Sequence, residues 1–312
     1  MKRLASARCR LPAGCVFLFL LMAAVACRAA AADSSQPRII SLYAAHTEVL
    51  LRLGARNNII GVSQQESYAG PETEGWRPET YSFRDDVEKF LVAKPDIVLA
   101  RPQHVAGGAR MVDALEKAGI RVLAIQVVQA SDLYGYWRRL AALVGKEEEA
   151  EAMIAEFDRE VARYRAASDQ SVHRPGVFIE SIHREVKTFT PDSIPAWLVE
   201  LAGGRNVAVD ARPATPGVVI ADYGPERLLA KAAEVEFFIS QEGAMNRTPL
   251  ETVQSRDIYQ PLAAFKRGRV LKIPESILAR PTPSLLEGLA MIAKFLHPGA
   301  QADHVVDGSH VE

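Results

Sequence analysis

The sequence predicts an α/β protein of two lobes joined by a long helix. Two observations carry that expectation. The chain repeats its own pattern of strand–helix–strand followed by helix–strand, once in each half. Between the copies, Gly145 to Ser168 places Ala150, Met153, Ile154, Phe157, Val161 and Tyr164 at helical spacing, a single apolar stripe. At about 1.5 Å per residue such a helix runs on the order of 30 Å, long enough to span two lobes. An ordinary surface helix closing the first domain is the other reading of the stripe.

The chain opens with Lys2, Arg3, Arg8 and Arg10, then an apolar run from Val16 to Ala26 and a small-residue tract from Ala29 to Ala32. This is the pattern of a secretory signal over residues 1–32. The run is shorter than the roughly 20 apolar residues that a membrane-crossing helix needs, and no later segment is both apolar and long enough. Two processing outcomes compete. Ala24-Val25-Ala26-Cys27 is a lipobox with a weak first position, which would put a lipid anchor on Cys27; Ala30-Ala31-Ala32 before Asp33 suits ordinary signal peptidase.

Cys9, Cys15 and Cys27 are all the cysteines of the chain and all lie in this leader. Disulfides, thiolate metal sites and cysteine catalysis are therefore excluded from the part that folds. The leader also holds five of the 37 basic residues and none of the 38 acidic ones. The remainder is net acidic, which argues against nucleic acid as a partner. Its length and ordinary globular composition suffice for a large core and two domains.

Element by element, RIISLYAAHTEVLLRLGARNNIIGVS from Arg38 reads as a β-branched strand, a helix opened by Thr47-Glu48 and stopped at Gly54, and a second strand. GVFIESIHREVKTFTPDSIPAWLVELAGGRNVAV repeats the plan with a longer loop. Glu88 to Leu99 and Glu226 to Ile239 each place a short amphipathic helix before a buried strand. The divisions are a first lobe over residues 33–144, a linking helix over 145–168 and a second lobe over 169–312.

Several of these segments, in this order, resemble the helical-backbone (class III) periplasmic receptors for ferric siderophores, haem and cobalamin. RIISLYAAHTEVLLRLGA is similar to that family's opening strand and helix, VEKFLVAKPDIVLA to its helix and strand around a Lys-Pro-Asp turn, and AGGRNV to its second-lobe turn. LAAFKRGRVLKIPESILARPTPSLLEGLAMIAKFLHP resembles its last strand, Arg-Pro turn and final helix. The resemblance covers nearly all of the chain after the leader. It implies two Rossmann-like lobes with a ligand cleft between them, a periplasmic location and no intrinsic cofactor. It also implies a monomer that delivers a ferric chelate, haem or corrinoid to an ABC permease and its ATPase.

Ligands of open α/β sheets bind outside the carboxyl ends of the strands. By that rule the candidate ligand-binding residues are Tyr43, His46, Gln64, Tyr68, Tyr81, Arg84, Arg101 and His104 in the first lobe. In the second they are His183, Lys187, Glu242, Met245 and Arg280. Aromatic faces and planar guanidinium groups suit a large, partly apolar ligand bearing carboxylate or catecholate oxygens. Tyr43 stands where the family commonly has a small residue or serine, and is read as a cleft contact; as a phenolate it would ligate ferric iron. His46 lies in an Ala-His-Thr-Glu turn and has a structural reading as a hydrogen-bonded turn residue. His104 and His183 fall on opposing lobes, where solvated loop histidines compete with a metal-facing pair. Arg280 matches a family Arg-Pro position, with a structural role at the final helix as the other account.

For docking, the resemblance implies acidic residues on each lobe. Glu226 matches the second-lobe position; a glutamate at the start of a helix also has an ordinary account in the macrodipole. The first-lobe position falls near Ala109, followed by Arg110, a departure from the family pattern that Asp113 or Glu116 would have to offset. Two other functions compete. A free zinc or manganese receptor needs several His and carboxylate ligands converging on one point, and the histidines here are scattered. An exported chelate-modifying enzyme shares related folds, but the chain has no Gly-x-Ser-x-Gly elbow, His-Glu-x-x-His helix or phosphate-cradling glycine loop.

Overall fold

The computed structural model describes residues 36–64, 73–171, 173–244 and 246–298. In the first half, β1 (Ile39–Ser41), α1 (Ala44–Arg52), β2 (Ile59–Ser63), β3 (Glu79–Tyr81), α2 (Val87–Ala93), β4 (Ile97–Ala100), α3 (Pro102–Gly107), α4 (Ala109–Lys117), β5 (Arg121–Ala124) and α5 (Leu133–Ala142) follow one another. Then comes α6 (Glu147–Asp169). The second half contains β6 (Gly176–Glu180), β7 (Lys187–Phe189), α7 (Ile194–Leu201), β8 (Arg205–Asn206), β9 (Arg212–Pro213), β10 (Ile220–Asp222), α8 (Pro225–Ala230) and β11 (Phe237–Glu242). It closes with α9 (Leu250–Gln254), α10 (Ala263–Lys266), β12 (Val270–Pro274), α11 (Glu275–Leu278) and α12 (Leu285–Leu296).

The first sheet runs in the order β3-β2-β1-β4-β5 and the second in the order β12-β11-β6-β8, with parallel pairing throughout both. Strands β1, β4 and β6 are buried along their whole length, as expected of parallel strands covered on both faces. The order reverses direction beside the first strand of each half, between β1 and β4 and between β6 and β11. These are topological switch points, where crevices open at the carboxyl ends of the strands.

Helix α1 begins at Ala44, earlier than the Thr47-Glu48 start expected from sequence, with Tyr43 as its N-cap residue in extended conformation. Thr47 opens nothing: its hydroxyl donates to Ser41 Oγ at 2.7 Å. A polar contact inside the turn replaces the capping signal. The long loop expected between β6 and α7 contains β7, which joins β10 and β9 in a three-stranded antiparallel sheet beside the parallel one.

Helix α6 has 23 residues and buries Ala150, Ile154, Phe157 and Val161, the members of the apolar stripe that face inward. Phe157 packs edge-on against Trp137 of α5 at 5.1 Å and lies nearly parallel to Trp197 of α7 at 6.4 Å. One apolar core therefore runs through both halves, from Ile39 and Val49 through Phe157 to Ile239 and Leu289. Burial of a ring this size contributes about 2–3 kcal/mol. The seam is also bonded. Trp137 Nε1 donates to Pro281 O at 2.8 Å, Ala130 N to Asp192 O at 2.9 Å, and Ser284 Oγ to Glu48 Oε1 at 2.6 Å. Ala130 follows β5, Asp192 follows β7 of the antiparallel sheet, and Pro281 follows α11. Among the described residues no helix is long and apolar enough to cross a membrane.

Candidate ligand site

At the first switch point, the residues leaving β1 and β4 meet. Arg101 lays its guanidinium over the Tyr43 ring, 4.7 Å from its centroid, a cation–π contact that holds both side chains. Arg101 Nε is buried without a hydrogen-bond partner among the described residues. The backbone N–H of Arg101 donates to His104 Nδ1 at 3.4 Å. The His104 ring lies 5.8 Å from Phe83. Burial, and then the neighbouring Arg101 charge, hold His104 below the ordinary histidine range, which favours neutral imidazole. Tyr43, Arg101 and His104 thus form one cluster, and Phe83, which sequence reasoning missed, completes it. A phenylalanine in a short loop after a strand gives no signal that separates packing from contact.

His46 is behind this cluster, not in it. It has no exposed surface, its Nε2 donates to Ala100 O at 3.2 Å, and its Nδ1 accepts from the Tyr136 hydroxyl at 2.7 Å. A carbonyl only accepts, so the tautomer is fixed. Burial lowers its pKa to about 4. As a direct ligand contact His46 is corrected to a residue that ties α1, β4 and α5 together. Tyr81 is corrected in the same way. It is 5% exposed and packs on Phe90 within a core that includes Ile40, Leu42 and Val98. A side chain at Gly61 on the neighbouring strand would collide with its ring. Gln64 and Arg84 are exposed at the carboxyl ends of β2 and β3. Tyr68 and Met245 lie outside the described residues, as do Cys27 and the leader.

At the second switch point, between β6 and β11, a pocket of about 370 Å³ is lined by residues 182–185 and by Ala244, Asn246, Arg247, Thr248 and Pro249. His183 is here, 7% exposed, its N–H donating to Asn246 Oδ1 at 2.9 Å. Behind it is a fully buried carboxylate that sequence reasoning missed, Glu180. Glu180 accepts from Ser240 Oγ at 2.9 Å, from the Tyr259 hydroxyl and from His183 Nδ1 at 3.3 Å. The available signal was a charged residue ending the apolar run GVFIE. Tyr259 and Arg256, far along the chain, gave none.

Three other predicted residues stand apart from that pocket. Lys187 is held in ion pairs with Glu185 at 2.8 Å and Asp222 at 3.2 Å on the antiparallel sheet, and the Glu185 bond chiefly raises its pKa. Exposed Glu242 pairs with Lys272 at 2.7 Å. Half-buried Arg280 lies near the seam, 3.9 Å from Glu275, with its Nε buried and without a hydrogen-bond partner among the described residues. Thr282 Oγ1 is a further orphaned polar atom there. Glu226 is exposed in the first turn of α8. A larger hollow of about 550 Å³ lies at the amino ends of β4 and β5, around Lys94, Asp96 and Arg121. It is on the wrong edge of the sheet for a switch-point ligand. Among the described residues no three His, Cys, Asp or Glu side chains converge to hold a bare metal ion.

Comparison with known proteins gives a consistent outcome. A family model described as periplasmic binding protein matches residues 39–277. The ABC transporter substrate-binding lipoprotein YvrC of Bacillus subtilis is 24% identical over 265 residues, which cover 84% of this chain and 80% of the relative. The vitamin B12-binding protein of Vibrio cholerae is 24% identical over 284 residues, covering 90% of this chain and 95% of the relative. A solved periplasmic haem-binding protein from Pseudomonas aeruginosa matches with a TM-score of 0.68 at 21% identity, covering 85% of this chain and 94% of that one. At that identity the structural match is one of fold.

Proposed function

The chain belongs to the periplasmic binding protein family, and on that premise we propose that it is the solute receptor of an ABC importer. It captures an iron chelate, haem or a corrinoid between its lobes and hands it to the permease. The observation that carries this reading is the pair Arg101 and Arg280, one from each half, each with a buried Nε that has no hydrogen-bond partner among the described residues. Buried donors are nearly always satisfied, and an orphan calls for an explanation. A ligand oxygen entering from the seam supplies one, because guanidinium groups pair with planar anions. The Tyr43 face beside Arg101 supplies apolar area for the same ligand. The names of the relatives, a vitamin B12-binding protein and a haem-binding protein among them, fit a large metal-containing solute.

In this reading the first lobe comprises residues 33–144, the linking helix 145–168 and the second lobe 169–312. The protein works as an exported monomer, without turnover of its ligand and without a resident cofactor. Glu226 contacts the permease, whose ATPase powers uptake. Cys27 carries a lipid if the lipobox is used. The mass of the processed protein distinguishes acylated Cys27 from a free Asp33 terminus.

Calorimetric titration of the processed protein with cobalamin, cobinamide, haem, several ferric siderophores and free zinc tests the function. Tight one-to-one heat with one chelate is expected. Silence across the chelates, or heat with bare zinc alone, would refute the reading in favour of a free metal receptor or a sensor. Chemical change in the bound chelate would turn it into an enzyme.

A further inference from the structure

Among the described residues, the buried side-chain atoms without a hydrogen-bond partner are Arg101 Nε, Thr190 Oγ1, Gln241 Oε1, Arg280 Nε and Thr282 Oγ1. Four of the five belong to the second half of the chain. Buried polar groups are nearly always satisfied, so orphans gathered in one half call for a common explanation. Gln241 is the most informative of them. It lies near the carboxyl end of β11, is 3% exposed, and carries an oxygen that can only accept. An apolar side chain of the same size would satisfy the fold without leaving a buried acceptor unmet.

A series of contacts leads from Gln241 to Arg280 and Thr282. Side chains alternate along a strand, so Gln241 shares the face of Phe237 and Ile239, both members of the core that runs through the two halves. Phe237 packs on Phe295 of α12 at 5.1 Å on that face. Two residues beyond Gln241, a Cβ at Gly243 would lie 3.0 Å from Glu275 Oε2, and Glu275 is 3.9 Å from Arg280. Thr282 N donates to Arg280 O at 2.8 Å, and Thr282 has no exposed surface. An acceptor, a donor and a hydroxyl thus come to one neighbourhood, beside the bond from Trp137 to Pro281. Its charge is already balanced: Arg280 faces Glu275, and Lys272 of β12 pairs with Glu242 at 2.7 Å.

We propose that Gln241 and Arg280, with Thr282, form a subsite for a neutral amide group of the solute, and that Gln241 is the residue that tells amide from carboxylate. The inference rests on the receptor reading above and narrows its ligand class. An amide offers a carbonyl oxygen to Arg280 Nε and an N–H to Gln241 Oε1; the Thr282 hydroxyl donates or accepts as either end requires. A carboxylate accepts only. It would answer Arg280, leave Gln241 unmet and bring a further charge to a half-buried place whose cation already has a carboxylate. The subsite therefore suits a chelate with amides on its periphery, either a corrinoid with carboxamide side chains or a siderophore with amide links. It disfavours haem and citrate-type chelates, whose peripheral groups are carboxylates.

Calorimetric titration of the processed protein with five chelates tests this: cobinamide, cobyrinic acid (a corrin ring with carboxylates in place of carboxamides), an amide-linked ferric tris-hydroxamate, ferric citrate and haem. One of the amide-bearing chelates should bind at least about 10-fold more tightly than the carboxylate-bearing ones. Gln241→Met should weaken that chelate about 10- to 100-fold. The urea midpoint of the ligand-free variant should equal or exceed that of wild type, because an unmet buried acceptor has been removed; a glutamine bonded within the protein would lower it. Thr282→Val, which keeps the shape and removes the hydroxyl, should move both readings in the same directions. Equal affinity in wild type and Gln241→Met, or a lower midpoint in both variants, would overturn the inference. Tight binding of haem, cobyrinic acid or ferric citrate with silence from the amide-bearing chelates would overturn it and leave the receptor reading intact. Silence across all five overturns the inference, and the wider siderophore panel then decides the receptor reading.

Discussion

The indole N–H of Trp137 donates to the carbonyl of Pro281 across 2.8 Å, a buried bond between residues 144 positions apart that joins the two halves of the molecule. Trp137 has no exposed surface, so water has no ready access to replace the lost donor. Trp137→Phe keeps an aromatic face for Phe157 but orphans the Pro281 carbonyl. The expected cost is about 1–3 kcal/mol, read as a lower urea midpoint with the slope unchanged. Hydrogen exchange at the Ala130 amide, which bonds Asp192 across the same seam, should quicken. A wild-type midpoint together with unchanged exchange would show that the bond does not hold the seam.

Phe157 tests the shared core. It touches Trp137 on one side and Trp197 on the other, so removing it opens a cavity against both halves. Phe157→Ala is expected to cost about 3–5 kcal/mol. The wild-type protein should unfold in one transition when followed by fluorescence and by circular dichroism, because one core runs through it. Two separate wild-type transitions would mean that the halves fold independently.

The architecture was legible because its signals are periodic and repeated. The stripe from Ala150 to Tyr164 describes a helix whatever it packs against, and GVFIE or PDIVLA can hardly be anything but buried strands. The motif order resembled the family that the comparisons identify. The start of α1 was misplaced because Thr47 satisfies its hydroxyl on Ser41, a tertiary contact with no local signature. The site was less legible. Position after a strand named Tyr43, Arg101, His104 and His183, which lie at the switch points, and by the same rule Tyr81 and His46, which are buried in the core. Whether a side chain at a strand end points into the crevice or back into the core depends on neighbours such as Gly61 and Tyr136. Glu180 was hidden for the converse reason: its partners Ser240 and Tyr259 lie 60 and 79 positions away.

His46 makes stability depend on pH. Burial depresses its folded pKa to about 4 from an ordinary 6.5, so the folded protein keeps it neutral where the unfolded chain takes up a proton. Its contribution is fully present above pH 6.5, falls as pH drops toward 4, and is lost below that. The loss is of order 3 kcal/mol at about 1.4 kcal/mol per pKa unit. In His46→Gln, stability at pH 7 should already be lower, but its further decline between pH 6.5 and 4 should be shallower than in wild type. Parallel declines in urea midpoint would show that His46 does not titrate in this range.

Arg101 separates binding from stability. Its guanidinium stacks on Tyr43 while its Nε has no hydrogen-bond partner among the described residues, and under the proposed function that donor meets a ligand oxygen. Arg101→Lys keeps the charge but loses the planar fork. The expected effect on ligand affinity is that of a charge-assisted hydrogen bond, about 1.5–3 kcal/mol or roughly 10- to 100-fold in Kd. The effect on unfolding should stay within about 1 kcal/mol, the scale of a cation–π contact at a partly exposed site. Arg138→Gln, which breaks the exposed pair with Glu151, is the matching control and should leave affinity unchanged. Equal affinity in wild type and Arg101→Lys would remove Arg101 from the site. A large loss of stability in Arg101→Lys would instead make the orphaned guanidinium a structural element of the α3 start, and Arg280 would be left as the single arginine of the pair awaiting a ligand oxygen.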